Sequence, residues 1–313
     1  MQELQLDAGQ DDNFSMAAQR LEKYLRVKCN STQIDRLVKH YGEKLEHESE
    51  DDKAASCIEL AMKKAPISEG DTTYVMMDGC LLQTREQSDW KEMKLGRVFN
   101  ASAHYELTDR RKWIKESLYV SHFGGHNDFL SKLEPLVDEY EKYKECLVFI
   151  NDGAKWIWKW IDENYPDSTQ VLDYYHAAEY LGNFAKVIYK DKSKRTEWVS
   201  RQKLLLLNDQ VEQVIQNVSQ IQCKTVLKKE AQKKLLTYYT NNKKRMKYKT
   251  YKDRGILIGS GPIESAHRTV IQKRLKQSGQ RWTIQGAQCV ANLRVNKMSG
   301  LWSKVIDLIK NAA

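Results

Sequence analysis

The sequence lacks any apolar run that approaches the roughly 18 residues needed to cross a bilayer, although 41% of its 313 residues are hydrophobic. This absence excludes a transmembrane protein. A secretory signal is missing as well, because the segment from Met1 to Phe14 is acidic and polar, with no basic stretch followed by an apolar one. We therefore expect a cytoplasmic protein.

Paired cysteines are also absent. The six cysteines stand singly, without the C-x-x-C pairs of a zinc ribbon or the density of a disulfide framework. They are Cys29, Cys57, Cys80, Cys146, Cys223 and Cys289. We expect all of them to be reduced thiols.

Positive charge is concentrated at one end of the chain. Residues 241–313 contain 16 basic and three acidic residues, whereas the preceding residues contain 35 basic and 39 acidic ones. Such a segment favours binding to a polyanion, most simply the phosphates of DNA or RNA, and the alternative is a solubilising tail. The predicted phosphate contacts are Lys243, Lys244, Arg245, Lys247, Arg268, Lys273, Arg274, Lys276 and Arg281.

The spacing of apolar residues divides the chain into four segments. Residues 1–70 form a helical module in which Asn30 and Ser31 supply a turn and a helix cap. This module is either a helix-turn-helix with Thr32 to His40 as recognition helix, or a small bundle that only packs. Residues 71–185 mix strands and helices, 186–250 are a helical insertion, and 251–313 close the core and carry the basic segment. Pro66 and the polar stretch from Ser68 to Asp71 mark the first boundary.

Strand-like runs in the second segment indicate a mixed sheet with flanking helices. These runs are Thr72 to Met77, Met93 to Ala101, Lys112 to Val120, Cys146 to Ile150 and Gln170 to Leu172, and a helix is expected from Trp156 to Ile161.

Two of these strands are followed by the same pair of residues. Asp78-Gly79 and Asp152-Gly153 each follow a short apolar strand, and the glycine lets another group approach the backbone. Adjacent strands would bring the two carboxylates together, which requires a raised pKa or a cation between them. Hard oxygen ligands favour Mg²⁺ or Mn²⁺. Taken singly, Asp-Gly after a strand is more often a simple turn.

Further candidate residues lie on helices. Glu264 falls in the first turn of a helix that begins near Pro262, where it would complete an acidic site or merely balance the helix dipole. His176 and His267 each follow an acidic residue by three positions. His176 is a candidate catalytic residue that would contact a phosphate or a transition-state oxygen, with a structural role as the open alternative, whereas a structural role is favoured for His267. The cluster from Trp156 to Trp160 favours core packing over stacking with a flipped base.

Several motifs of the sequence occur in the same order as in a known family. They are Asp78-Gly79, Trp90 to Gly96, Asn151 to Ala154, Asp173 to Glu179, Asn242 to Met246, Gly259 to Ser265 and Arg274 to Trp282. From about Phe14 to Trp282 the chain resembles the DDE-type insertion-sequence transposases, specifically the bacterial Kra-type group. The Asp173-x-x-His176 segment is similar to a motif of the Mutator-like eukaryotic transposases.

The resemblance implies a ribonuclease-H-like core whose acidic triad is Asp78, Asp152 and Glu264, interrupted by a helical insertion before the glutamate. It also implies two Mg²⁺ ions, with Mn²⁺ as an alternative, held by the triad, and a nucleoid-associated enzyme that cleaves and joins DNA. The partners would be double-stranded transposon ends and target DNA. Pairing two ends would favour at least a homodimer.

Other DNA-processing classes lack their signatures here. No histidine has an arginine three residues later, which excludes tyrosine recombinases, and neither a Walker A motif nor a restriction-nuclease signature is present. Two alternatives stay open: a ribonuclease-H-like nuclease without strand transfer, and a truncated or domesticated DNA-binding protein without catalysis.

Overall fold

A computed structural model describes residues 1–47, 55–56, 58–60, 63, 70–86, 89–108, 111–141 and 146–312. The predicted boundary at Pro66 and the first two residues of the polar stretch after it, Ser68 and Glu69, lie outside these residues. The chain divides into two compact units, which we describe separately. Unit 1 comprises Met1–Leu147 and Gly261–Ala313, and unit 2 comprises Val148–Ser260.

Unit 1 begins with three helices: α1 (Gln2–Asp11), α2 (Phe14–Leu25) and α3 (Ser31–Glu46). The side chain of Asn13 accepts the N–H of Met16 at the start of α2, and Asn30 accepts the N–H of Gln33 at the start of α3. The predicted cap at Asn30 is thus confirmed. Helix α1, within the acidic and polar N-terminal segment, was not predicted.

The strands of unit 1 are antiparallel, in the order β5-β2-β1. Their bounds are β1 (Thr72–Gln83), β2 (Trp90–Asn100) and β5 (Leu118–Phe123), and a separate hairpin contains β3 (His104–Thr108) and β4 (Arg111–Ile114). Helix α4 (His126–Glu141) packs on β2 and β5. The strand predicted from Lys112 to Val120 is therefore wrong, because it joins the end of the hairpin to the start of β5.

Unit 2 contains a parallel pair of strands, β6 (Cys146–Asn151) and β7 (Thr169–Leu172), connected through α5 (Lys155–Asn164). Helices then follow without further strands in the unit: α6 (Tyr174–Ile188), α7 (Lys192–Leu206), α8 (Val211–Ser219), α9 (Val226–Asn242) and α10 (Tyr248–Asp253), with a 3₁₀ turn at Lys243–Arg245.

Apolar residues between Leu204 and Ile221, within the predicted helical insertion, are divided between α7 and α8. Asp209 interrupts it with a positive φ of 60°, a conformation that asparagine and aspartate tolerate better than most residues. Its carboxylate accepts the N–H groups of Lys249 and Thr250 at 2.7 and 3.0 Å. Asp209 therefore ends one helical segment and caps α10.

The chain ends in unit 1 with α11 (Gly261–Ala266), a π-helical turn (His267–Gln272), α12 (Lys273–Leu275), α13 (Ile284–Met298) and α14 (Trp302–Lys310). Helix α13 packs along α3, where a Cβ on Gly42 would lie 2.5 Å from Cβ of Cys289. The buried Arg294 of α13 donates to the carbonyls of Thr269 and Val270 in the π-helical turn. These hydrogen bonds join α13 to the π-helical turn.

The architecture is α+β, with five strands in mixed antiparallel and parallel pairing besides the hairpin, and with flanking helices. This is compatible with the mixed sheet expected from the sequence. Across the described ranges, no helix is both long and apolar enough to cross a membrane.

Candidate functional site

Asp152 stands immediately after β6, at the turn that leads into α5. Its Oδ1 accepts the N–H of Ala154 at 2.9 Å, which fixes the carboxylate against its own turn. A Cβ on Gly153 would lie 2.2 Å from Cε2 of Tyr238, so the ring of Tyr238 covers the backbone beside Asp152. Glycine is required at this position because any larger residue would collide with that ring.

Tyr238 is itself held by a second tyrosine. Its ring stacks on Tyr180 with centroids 3.8 Å apart and planes 6° from parallel. Burial, followed by the neighbouring Tyr180, Asp152 and Asp173, raises the pKa of Tyr238 far above its ordinary value. Its hydroxyl is therefore neutral at physiological pH, and it interacts electrostatically with the carboxylate of Asp152.

A cationic cleft of about 690 Å³ opens beside this turn. Its wall includes Gly153 and Tyr238. The charged lining consists of Lys155, Lys159, Lys233, Lys234 and Arg245, against Asp162 and Glu230. Because Arg245 is buried and paired with Asp162, the excess of positive charge comes from the four exposed lysines, and an open groove of this charge attracts a polyanion.

Asp173 ends β7 and is fully buried. Its Oδ1 accepts the N–H of His176 at 2.9 Å and thereby caps α6, while its Oδ2 accepts both the N–H (2.6 Å) and the hydroxyl of Ser260. With both oxygens occupied by three donors, Asp173 acts as a structural residue that anchors the Gly-rich loop of residues 255–260, which precedes α11. Glu264 follows Ser260 by four residues.

His176 is half-buried in the first turn of α6. Its neighbour Tyr175 packs on the loop, since a Cβ on Gly259 would lie 2.6 Å from the Tyr175 ring. The Asp173-x-x-His176 motif thus has a local explanation as a helix cap, and a contact of His176 with a phosphate stays a prediction.

Asp78 lies in unit 1, in the middle of β1 and opposite Leu95 of β2. The expectation that it ends its strand is wrong, because β1 continues for five more residues to Gln83. Two residues beyond Asp78, burial raises the pKa of Cys80 to about 12; the positive charge of Lys276 opposes this and the charge of Asp78 adds to it. A basic residue of the C-terminal segment thus acts on the same stretch of β1 as Asp78.

Glu264 lies in the first turn of α11, as predicted. Helix α11 packs on β1 and β2, and Arg97 of β2 fixes its start by donating to the carbonyl of Pro262 at 2.6 Å. Arg97 is buried, and the loss of solvent around its guanidinium lowers its pKa. Unit 1 therefore holds Asp78 and Glu264 on packed elements, whereas Asp152 and His176 belong to unit 2.

His267 occupies the first position of the π-helical turn and is buried. The burial agrees with the structural role that the sequence favours. Neither of its ring nitrogens, however, has a hydrogen-bond partner among the described residues.

Two of the nine predicted phosphate contacts are buried instead of exposed. Arg245 is buried, donates to Asp162 and Gln170, and covers the ring of Trp158 at 4.4 Å. Arg274 is also buried, against the rings of Phe14 and Trp282. Neither is a surface cation, because the apolar rings around each arginine exclude solvent.

The other seven are exposed: Lys243, Lys244, Lys247, Arg268, Lys273, Lys276 and Arg281. Three of them have acidic partners within the protein. Lys243 lies 4.0 Å from Glu212, and Lys244 and Lys273 lie 3.0 and 2.8 Å from Asp162 and Asp11.

The tryptophan cluster of α5 contributes mainly to the core. Trp158 and Trp160 are buried, and Trp160 packs edge-on against Phe149 of β6 and against Tyr165. This agrees with the favoured core interpretation.

Comparison with known proteins identifies the family. Residues 33–311 match the sequence model of the uncharacterised protein family UPF0236. The chain belongs to this family. A curated relative, the UPF0236 protein in vanSb 3'region of Streptococcus gallolyticus, is 23% identical over 237 residues, which cover 73% of this chain and 50% of the relative. The chain thus spans about half the length of that relative. Neither description names an activity.

The sequence did not reveal several residues that shape these surroundings. The Tyr180–Tyr238 stack joins α6 to α9, and the cationic cleft combines α5 with α9. A usable signal was the pair Lys155 and Lys159, four residues apart and therefore on one face of a helix.

Proposed function

We propose that this protein is a DNA transposase that cleaves and joins element ends by metal-dependent phosphoryl transfer. One observation carries most of the weight: the cationic cleft begins at Gly153, directly beside the carboxylate of Asp152. A carboxylate next to a groove suited to a phosphate chain is unfavourable unless a divalent cation lies between the two anions. The arrangement is typical of metal-dependent phosphoryl transfer.

The proposed triad consists of Asp78, Asp152 and Glu264. All three offer carboxylate oxygens, the ligands that Mg²⁺ and Mn²⁺ prefer, and each stands on a supported element. The backbone N–H groups of Gly79 and Ala154 donate to Asp78 and Asp152, and Arg97 fixes the helix of Glu264. Two bound ions would supply activation of a water or a 3′-hydroxyl and stabilisation of the leaving oxygen.

The protein's own residues would bind and position the DNA. The lysines of the cleft would hold the phosphate chain, and Tyr238 would keep the turn at Asp152 rigid. The proposal requires the three carboxylates to act together. His176 is proposed to contact the reacting phosphate from the first turn of α6.

The test uses a labelled duplex that carries the ends of the DNA element encoding the protein, incubated with Mg²⁺ or with a chelator. We expect cleavage and joined products from the parent protein, and loss of both in Asp78→Asn, Asp152→Asn and Glu264→Gln with binding retained. Asp307→Asn, at an exposed position in α14, is the matched control. Loss of duplex binding in the triad variants would contradict the assigned roles.

Two other outcomes would identify the alternative functions. Cutting without joined products would indicate a ribonuclease-H-like nuclease, since only the nucleophile differs between the two activities. Salt-sensitive binding without any cutting by the parent protein would indicate a non-catalytic DNA-binding protein.

A further inference from the structure

A buried guanidinium in unit 1 has an unsatisfied donor. The side chain of Arg274 is 1% exposed, its Nε donates to the carbonyl of Gly9 at 3.1 Å, and its Nη1 has no hydrogen-bond partner among the described residues. Burial lowers its pKa to about 10, so the group remains charged at neutral pH. An unpaired donor on a buried charge is costly unless a ligand completes it.

Arg274 lines a cavity of about 460 Å³ whose wall is strongly basic. Arg85, Arg281 and Lys39 share this wall, and the carboxylate in it, Asp35, is neutralised by Lys39 at 2.8 Å. Arg85 and Arg281 are therefore not offset by any acidic residue of the wall. The cavity has an excess of positive charge that an anion would balance.

Two long helices also begin at this cavity. Ser31 and Thr32 are the first residues of α3, a helix of 16 residues, and Thr283 caps α13, a helix of 15 residues. First-turn N–H groups and the positive end of the helix dipole favour an anion. At α13 the carboxylate of Glu86 already accepts the N–H of Ile284 at 2.9 Å, so it is the start of α3 that adds to the site defined by the buried guanidinium and the exposed arginines.

We propose that this cavity is a binding pocket for a phosphate group of a nucleic-acid backbone. The buried Arg274 would donate Nη1 to a phosphate oxygen, and Arg85 and Arg281 would close over it from the surface. Phosphate matches such a site because it offers several acceptor oxygens and a charge to neutralise the guanidinium groups. The nucleic acid as source rests on the proposed function, whereas the phosphate chemistry does not.

The pocket also assigns a role to the N-terminal helices. It combines α3 with the segment after α12, so a bound phosphate would be held by both ends of the chain within unit 1. Binding at this place is distinct from the proposed metal chemistry, because no residue of the acidic triad lines the cavity.

The test measures binding of inorganic phosphate by calorimetry and of a labelled duplex by fluorescence anisotropy, both in the presence of a chelator. We expect Arg281→Gln to weaken both interactions by about tenfold or more, as removal of a charge-assisted hydrogen bond does. Arg201→Gln is the matched control, because Arg201 is an exposed arginine of α7 that does not line the cavity. Its binding should change less than about twofold.

Arg274→Gln tests the buried donor, with circular dichroism as a check of folding. If that variant does not fold, Arg281→Gln still decides the question, since Arg281 is exposed. Competition between duplex and phosphate would support the nucleic-acid backbone as source. If phosphate binds saturably and the duplex does not displace it, the cavity is a phosphate pocket, but the proposal that the phosphate belongs to a nucleic-acid backbone is overturned.

The pocket itself would be overturned if phosphate failed to bind saturably, or if Arg201→Gln lost as much affinity as Arg281→Gln. Because the measurements contain no divalent metal, their failure is independent of the cleavage assay. A protein that binds phosphate here but never cuts DNA would refute the proposed function alone.

Discussion

Replacement of Gly153 by alanine is the sharpest test of how the turn at Asp152 is held. The added Cβ would lie 2.2 Å from Cε2 of Tyr238, whereas ordinary van der Waals contact begins near 3.4 Å. The ring would have to retreat by more than about 1 Å, and its stack on Tyr180 at 3.8 Å opposes this. We expect Gly153→Ala to lower the free energy of unfolding by about 1–3 kcal/mol, the usual cost of overpacking.

The assay is urea unfolding followed by circular dichroism, with Gly182→Ala as matched control. Gly182 lies inside α6, and no atom lies within 4 Å of the place that an added methyl group would occupy. Its replacement should stabilise the protein by about 0.5–1 kcal/mol, because alanine loses less backbone entropy than glycine in a helix.

A double-mutant cycle separates the collision from any other effect of the new methyl group. In a Tyr238→Ala background the ring is gone, so Gly153→Ala should cost close to nothing. An equal cost in both backgrounds would refute the reasoning. If Asp152 is catalytic, Gly153→Ala should also reduce cleavage, since it displaces the neighbouring carboxylate.

Three further predictions concern buried or paired groups. Asp173→Asn should lower the free energy of unfolding by about 2–3 kcal/mol in urea titrations, because it removes charge-assisted bonds to Ser260. Partial burial raises the pKa of Asp162, but hydrogen bonds led by that from Lys244 outweigh this effect and hold the pKa below its ordinary value. The contribution of Asp162 to the free energy of unfolding should therefore be constant above about pH 4 and be lost as the pH falls further. Asp162→Asn should reduce the corresponding fall of the urea unfolding midpoint with decreasing pH. Burial raises the pKa of Cys80 and Cys289 to about 12, so at pH 8 both should resist alkylation, mapped by mass spectrometry, until the protein unfolds.

Local signals in the sequence were sufficient for several elements. The cap at Asn30, the position of Glu264 in a first turn and the apolar runs of β6 and β7 depend on neighbouring residues alone. Such features are encoded by side chains that act within one turn or one strand. The sequence therefore predicted them close to where they occur.

The length of β1 and the burial of two arginines depend on residues that are distant in the chain. Strand β1 passes Asp78 because β2 offers a ladder partner for every residue as far as Gln83. Arg245 and Arg274 resemble surface cations in a basic sequence, yet aromatic rings contributed by other segments bury both. No periodicity within a short window reports such contacts.

By itself, the sequence determined which residue types are present, where charge accumulates along the chain and where several of the helices and strands lie. Tertiary structure decided which charges are exposed, which carboxylates are fully occupied by donors and which glycine has no room for a side chain. The physical reason is that burial and hydrogen bonding depend on neighbours in space. Asp173 is the clearest case: its partner Ser260 lies 87 residues away, and this contact makes a conspicuous acidic residue a structural one.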